Sequence, residues 1–293
     1  MAHMKLKVAT CQLPIGPDID QNLRYVLRQM ASARRRGAHV AHFPEMCLTG
    51  YAGVDLESMR GFDWDRLVDA HRKICERAKK LRQWVIVGSA HRLSGRHKPH
   101  NSLYIIDDRG RLVNRYDKMF CTGDRTGRGS DLAHYSPGSH FSVFDIRGVR
   151  CGALICHDFR YDELYRQYKK RGVRLMFHSY YNARRTAQQH RRNNIWGVIV
   201  PPTMQAYAAN NHMWISANNS SAPQSAWPSL FVQPDGTIDG RLTRNKAGVL
   251  LREIDHNKPF YDASCHWRDR AMRGIYHSGR LVRDRRSSVR TAF

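Results

Sequence analysis

Short apolar runs alternate along the chain with segments whose apolar residues return at helical spacing, and the two periods predict strands and helices in turn. Residues 6–12 read as a buried strand. Residues 20–36 read as a helix, with Leu23, Leu27, Met30 and Ala33 on one face and Gly37 as its stop. A strand is expected over 39–43, a helix through Leu67, His71, Ile74, Ala78 and Leu81, and strands over 84–90 and 102–106. Asp107-Asp108-Arg109-Gly110 is a hairpin turn into 112–116, and Arg147-Gly148 joins a second hairpin of 141–146 and 149–155. A helix over 162–171 and a strand over 175–178 follow. The helical stretch 188–208 is interrupted by Pro201-Pro202, which predicts two helices. Strands over 214–217, 229–232 and 249–254 close the pattern, with a turn at Pro234-Asp235-Gly236.

Strands and helices alternate early and hairpins come late, which gives an α/β or α+β domain with helices covering mixed sheets. No linker rich in Pro, Gly or Ser and no internal repeat divides the 293 residues, so one domain is expected over 4–270. Residues 271–293 form a basic, weakly patterned tail, either loose or packed at a subunit interface, and 1–3 read as a cloning remnant.

Composition changes this picture little. Hydrophobic residues make up 41% of the chain, which argues for a folded core. No apolar run has the length of a signal peptide or a membrane span, so no membrane partner is expected. Seven scattered cysteines, an odd number, suggest reduced thiols in a cytoplasmic protein. The 49 Lys and Arg against 25 Asp and Glu give a net charge of +24. These cations are spread through the chain and build no recognised nucleic-acid module. The expectation is a solubilising surface with non-specific polyanion binding at low salt. The 16 histidines include no metal-binding spacing and no Cys-x-x-Cys is present, so neither a metal nor another cofactor is expected.

Three segments carry reactive side chains at the ends of apolar runs, where an α/β fold displays its site. They are Phe43-Pro44-Glu45 leading to Thr49-Gly50-Tyr51, then Tyr116-Asp117-Lys118, then Ala153-Leu154-Ile155-Cys156 followed by His157-Asp158-Phe159-Arg160-Tyr161-Asp162-Glu163. Taken singly, Glu45 reads as a loop carboxylate, Lys118 as an exposed lysine and Cys156 as a buried thiol, which is the reading kept for Cys151. In this order and spacing the three resemble the Glu–Lys–Cys motifs of the nitrilase superfamily of carbon–nitrogen hydrolases. The likeness runs over about 5–253 and includes Ala217-Asn218-Asn219.

The resemblance implies a four-layer α-β-β-α sandwich, a homodimer or larger assembly, and hydrolysis of a small non-peptide amide or carbamoyl compound through a cysteine thioester. The Cys-x-Asp context resembles the amidase branches. By that likeness Cys156 is the nucleophile and Glu45 the general base. Lys118, with the backbone N–H after Cys156, faces the oxyanion. Position in the chain makes Tyr51, His157, Tyr180, Tyr181 and Trp227 pocket candidates. His157 is a poor base for Cys156 if both lie on extended backbone, because neighbouring side chains then point to opposite faces. Arg160 and Glu163 are expected to brace the loop beyond the nucleophile.

The sequence departs from the family pattern at Asp131, where a second glutamate is usual. One methylene shorter, its carboxylate must reach the site by a backbone shift or not at all, and where it does reach it is expected to orient Lys118 or a substrate amine. Asp162 replaces a proline, and Tyr207-Ala208-Ala209-Asn210-Asn211 replaces an Arg-x-x-Glu-Asn element. Two other functions stay open on the same scaffold: acyl or amide transfer by the same thioester, and a catalytically weak basic binding protein.

Overall fold

The computed structural model describes residues 5–127, 129–184, 194–255 and 257–291. The expected cloning remnant at 1–3 and the beginning of the expected 188–208 helical stretch lie outside these residues.

Two six-stranded mixed sheets face each other. The first has the order β12-β1-β2-β3-β4-β5, built from β1 (Leu6–Gln12), β2 (Val40–His42), β3 (Trp84–His91), β4 (His100–Ile106), β5 (Leu112–Asp117) and β12 (Gly248–Ile254). The second has the order β11-β10-β9-β8-β7-β6. Its strands are β6 (Val143–Ile146), β7 (Val149–Ile155), β8 (Leu175–Ser179), β9 (Trp214–Asn218), β10 (Leu230–Val232) and β11 (Ile238–Arg241). In each sheet three central strands run parallel and the flanking strands antiparallel.

Helices α1 (Ile19–Arg35) and α2 (Trp64–Leu81) cover the outer face of the first sheet; α4 (Asp162–Lys170) and α5 (Ile195–Asn211) cover the second. The result is the expected α-β-β-α sandwich. Strand period explains the layering. In β4, Leu103 and Ile105 join the core between the sheets, while Tyr104 and Ile106 turn outward to α2.

Helix α1 begins where Asp18 accepts from the N–H groups of Asp20 and Gln21. The Arg147-Gly148 turn has both residues at positive φ, as a two-residue hairpin requires. The expected break at Pro201-Pro202 is corrected: a single helix runs through both prolines to Asn211. Their fixed φ suits a helix, and the carbonyls left without N–H partners, at 197 and 198, lie near an exposed stretch where Val198 faces solvent. Strand β11 was not expected; its sequence Ile238-Asp239-Gly240-Arg241 lacks apolar alternation.

A polar seam ties the sheets together inside the core. Thr10 and Ser216 hydroxyls are 2.7 Å apart, and the His42 ring lies 2.8 Å from both Ser216 and Ser179. Ser179 donates to the Phe43 carbonyl, and Asn218 donates to the carbonyls of His42 and Cys11. Burial pushes the His42 pKa down to about 3, so the ring is neutral and works as a donor–acceptor relay. A satisfied buried network fixes one relative placement of the two sheets. It does so one residue before Pro44-Glu45.

After β12, α6 (Arg268–Met272) and α7 (Arg285–Ser288) are short, and the chain beyond Arg273 is almost wholly exposed.

Candidate active site

Strands of both sheets deliver their ends to one place. Glu45 follows β2, Lys118 follows β5, Cys156 follows β7 and Tyr181 follows β8. The turn carrying Glu45 lies against the backbone of β3, where a Cβ on Gly88 would sit 2.2 Å from the Pro44 carbonyl oxygen. That close approach requires glycine.

Glu45 is wholly buried and fully engaged. Its Oε1 accepts from Lys118 Nζ at 2.9 Å and Asn101 Nδ2 at 2.7 Å, and its Oε2 accepts from the Tyr181 N–H at 2.7 Å. Lys118 Nζ also donates to Asp131 Oδ2 at 2.7 Å. Asp131 thus reaches the site despite its shorter side chain. It does so from the first turn of α3 (Ser130–His134), entered through left-handed backbone at Gly129 and Ser130. The Thr122 N–H and the Tyr51 hydroxyl donate to it at 3.0 and 2.5 Å.

The electrostatics follow from two buried carboxylates sharing one ammonium. Burial alone would neutralise Lys118, but the Asp131 and Glu45 charges overcome it and hold the pKa well above the ordinary lysine value. Burial likewise opposes ionisation of Asp131, yet the Lys118 charge and hydrogen bonds keep its pKa low. Glu45 goes the other way: burial and the Asp131 charge raise its pKa against the pull of Lys118. The environment separates the two acids, so Asp131 is the fixed counter-ion and Glu45 is the group able to exchange a proton. Burial, and then the Glu45 charge, push the Cys156 thiol well up, so it rests protonated.

Cys156 does not lie on extended backbone. It opens a 3-10 turn, Cys156–Arg160, with φ of +41°, a left-handed conformation that costs a non-glycine residue energy. Asp158 holds the elbow by accepting from the Ile155 and Phe120 N–H groups and the Tyr116 hydroxyl at 2.7–3.0 Å. Burial raises the Asp158 pKa to about 6 against those bonds. The His178 Nε2 lies 3.2 Å from the Cys156 carbonyl oxygen.

The elbow, and not strand alternation as expected, therefore sets the direction of His157. His157 is half-buried, edge-on to Tyr161 at 5.8 Å and outside the pocket lining; burial and the Lys118 charge lower its pKa. The bracing expected of Arg160 and Glu163 is also corrected. Arg160 lies 4.8 Å from the rings of Phe159 and Trp196, and Asp158 supplies the brace.

A pocket of about 430 Å³ opens onto Lys118, Asp131 and Cys156. Of the expected wall residues, Tyr51 and Tyr181 line it; Tyr180 and Trp227 do not. Just past β8 the chain turns Tyr181 to the pocket and Tyr180 into the core, where it donates to Met204 Sδ and meets Trp227 edge-on at 4.8 Å. Sequence reasoning missed Trp196, His134, Thr122 and Asn182 in the wall, and Asn101 beneath it. It also missed Asp55, whose side chain is wholly buried, which accepts from the Tyr51 N–H and the Tyr181 hydroxyl, pairs with Arg184 Nε at 2.7 Å, and so positions both tyrosines. No motif marked these residues. Among the described residues no cluster of three or more His, Cys, Asp or Glu side chains is arranged to hold a metal, and no helix is long and apolar enough to cross a membrane.

Strand-end Glu, Lys and Cys on a double-sheet sandwich define a class, and comparison with known proteins agrees. The chain belongs to the carbon–nitrogen hydrolase family, whose model matches residues 7–258. A protein described as a hydrolase in the agr operon of Staphylococcus lugdunensis is 29% identical, covering 74% of this chain and 88% of its own length. An omega-amidase from Bos taurus is 26% identical, with coverage of 86% and 89%. Among solved structures, an amidase from Nesterenkonia sp. superposes with a TM-score of 0.73 at 19% identity, covering 93% of this chain and 96% of that one. These relatives belong to the nitrilase superfamily, and they support amide hydrolysis as the general activity.

Proposed function

We propose that this carbon–nitrogen hydrolase cleaves a small, linear, non-peptide amide or carbamoyl compound to an acid plus ammonia or an amine. The intermediate is a thioester on Cys156. The observation that carries the reading is the Glu45–Lys118–Asp131 cluster beside Cys156 at the base of a pocket sized for a small molecule.

As Cys156 attacks the carbonyl carbon, its thiol proton passes to the Glu45 carboxylate. The developing oxyanion meets Lys118 and the N–H of His157, the second residue of the 3-10 turn, where the first backbone N–H groups have no acceptor inside the turn. The C–N bond breaks as Glu45 returns the proton to the leaving nitrogen. Water then attacks the thioester, giving a proton to Glu45, and the acid leaves as the thiol is restored. Asp131 keeps Lys118 charged and oriented throughout.

Support comes from relatives as well. In a glutamate-to-glutamine mutant of the amidase from Nesterenkonia sp. AN1 the active-site cysteine carries the acetamide moiety of fluoroacetamide covalently, and a Bacillus subtilis relative, 26% identical, is a 2-oxoglutaramate amidase. The test is ammonia release from a panel of amides, with intact-mass analysis of quenched enzyme. Acylation should map to Cys156 and disappear with turnover in Cys156→Ala. Full turnover by that variant, or acylation at another residue, refutes the reading. We also propose a cytoplasmic enzyme, consistent with seven free cysteines, working as a homodimer or larger assembly; the exposed Ile195 and Val198 of α5 are a candidate contact.

A further inference from the structure

Strand β8 places Ser179 in the seam between the sheets and His178 on the opposite face, under α4. His178 is wholly buried, with its ring stacked on Tyr180 at 4.3 Å. Both ring nitrogens are engaged. Nδ1 lies 2.6 Å from the Tyr165 hydroxyl, and Nε2 lies 3.2 Å from the carbonyl oxygen of Cys156. A carbonyl can only accept, so Nε2 carries a proton. Burial holds the His178 pKa well below the ordinary histidine value, so the ring is neutral and Nδ1 accepts from Tyr165. The thioester route gives this buried histidine no proton to move.

His178 touches the peptide unit between Cys156 and His157. That unit is planar and trans, so its C=O and its N–H point in opposite directions. Fixing the Cys156 carbonyl on the His178 side therefore fixes the aim of the His157 N–H on the other. The unit needs a tether. Its first residue is left-handed, with φ of +41°, and it opens a 3-10 turn whose first N–H groups have no acceptor inside the turn. Asp158 accepts from the Ile155 and Phe120 N–H groups and the Tyr116 hydroxyl, and so bonds neither end of this peptide. Among the described residues, His178 is the side chain hydrogen-bonded to it.

We propose that His178 is a positioning residue for the amide-cleaving site: with Tyr165 fixing its tautomer, it tethers the Cys156 carbonyl so that the His157 N–H faces the oxyanion of the tetrahedral intermediate. The inference rests on the thioester route proposed above. A donor aimed beforehand needs no reorganisation when the charge develops. The tether therefore acts on the transition state and little on binding of the uncharged amide.

Three variants test this. His178→Phe removes the donor and keeps a ring against Tyr180. His178→Gln returns an N–H to the neighbourhood of Nε2. Tyr165→Phe keeps His178 but leaves Nδ1 without its donor, freeing the ring to carry its proton there. Turnover is read on the best amide of the panel, and inhibition with the aldehyde that carries hydrogen in place of that amide's NH2 group. Addition of the Cys156 thiol to the aldehyde forms a C–S bond and breaks the carbonyl π bond. The thiol proton goes to Glu45 and the electron pair to oxygen, so aldehyde affinity reports the oxyanion site with no leaving group involved. His178→Phe should lower kcat about 10²-fold, keep KM within about twofold of the parent, and weaken the aldehyde by a factor similar to the loss in kcat. His178→Gln should recover most of both losses, and Tyr165→Phe should fall between. Both limbs of the pH–rate profile should stay in place, because Glu45 and Lys118 keep their partners. The proposal is overturned if His178→Phe keeps the parent's kcat and aldehyde affinity, if kcat falls without aldehyde affinity, if the loss appears in KM, if a limb of the pH profile moves, or if His178→Gln recovers nothing. Should His178→Phe not fold, Tyr165→Phe decides, and parent-like kcat and aldehyde affinity there overturn it. A parent enzyme that cleaves no amide and forms no aldehyde adduct on Cys156 refutes the thioester route itself, and this inference falls with it.

Discussion

Two carboxylates share the Lys118 ammonium, and the structure gives them different work, which Asp131→Asn and Glu45→Gln can separate. Lys118 Nζ lies 2.9 Å from Glu45 Oε1 and 2.7 Å from Asp131 Oδ2, so the two carboxylate oxygens are no more than about 5.6 Å apart. At that separation, with an effective dielectric of about 20, the repulsion between two unit charges is roughly 3 kcal/mol. Asparagine removes this repulsion while keeping an oxygen for the Lys118 bond. In the proposed mechanism Glu45 must be a carboxylate to accept the thiol proton, so activity is expected to rise as pH rises through its pKa. Without the Asp131 charge that pKa falls, and the acid limb of the pH–rate profile should move to lower pH by about one unit or more. Lys118 loses one of the two anions that hold its pKa high, so the alkaline limb should also move down. At the optimum, Asp131→Asn should cost about tenfold, whereas Glu45→Gln should cost about 10²–10⁴-fold, the usual contribution of a positioned general base. The assay is a pH–rate profile of the parent and both variants on one amide. If Asp131→Asn is as inactive as Glu45→Gln, or moves the acid limb upward, the division of labour is wrong.

Gly88→Ala should destabilise the fold by about 1–3 kcal/mol, because its Cβ meets the Pro44-Glu45-Met46 backbone and no flexible side chain can give way; thermal unfolding checks this, and an unchanged melting temperature counts against the tight packing of the Glu45 turn. With a net charge of +24, the protein should bind heparin at low salt and elute by a few hundred millimolar, since the Debye length is already about 8 Å at physiological ionic strength. Retention in molar salt points instead to a specific polyanion site. Sedimentation velocity at micromolar concentration should show a dimer or larger species; an active 34.0 kDa monomer refutes the proposed assembly.

How far the sequence was legible depends on whether a feature is local. Glu45, Lys118 and Cys156 each end an apolar run, and the ends of those strands converge as expected. The shape of the turn after β7 was not legible, because strand alternation says nothing once the chain leaves the sheet. The left-handed Cys156 is held by Asp158, whose partners include Tyr116 and Phe120, roughly forty residues away. Tyr180 and Tyr181 show the same limit at finer scale. Both follow β8, and only its register against β7 and β9 decides which ring meets the pocket and which the core.

Asp131 shows why side-chain length alone misleads. Losing a methylene left the carboxylate to reach the site by a backbone shift or not at all, and α3 is entered through positive φ at Gly129 and Ser130. The shorter side chain thereby accepts from Lys118, Tyr51 and Thr122 together. Those bonds favour its ionised form and leave Glu45 as the acid whose pKa is raised. The departure from the family's usual glutamate is therefore compatible with proton transfer through Glu45. Its consequence falls on Lys118, which is clamped between anions that Tyr51 also touches, and Tyr51 in turn is fixed by Asp55. A change at Asp55 should therefore alter the chemistry without touching the substrate, because the same hydrogen bonds that place the pocket wall also place the ammonium proposed to face the oxyanion.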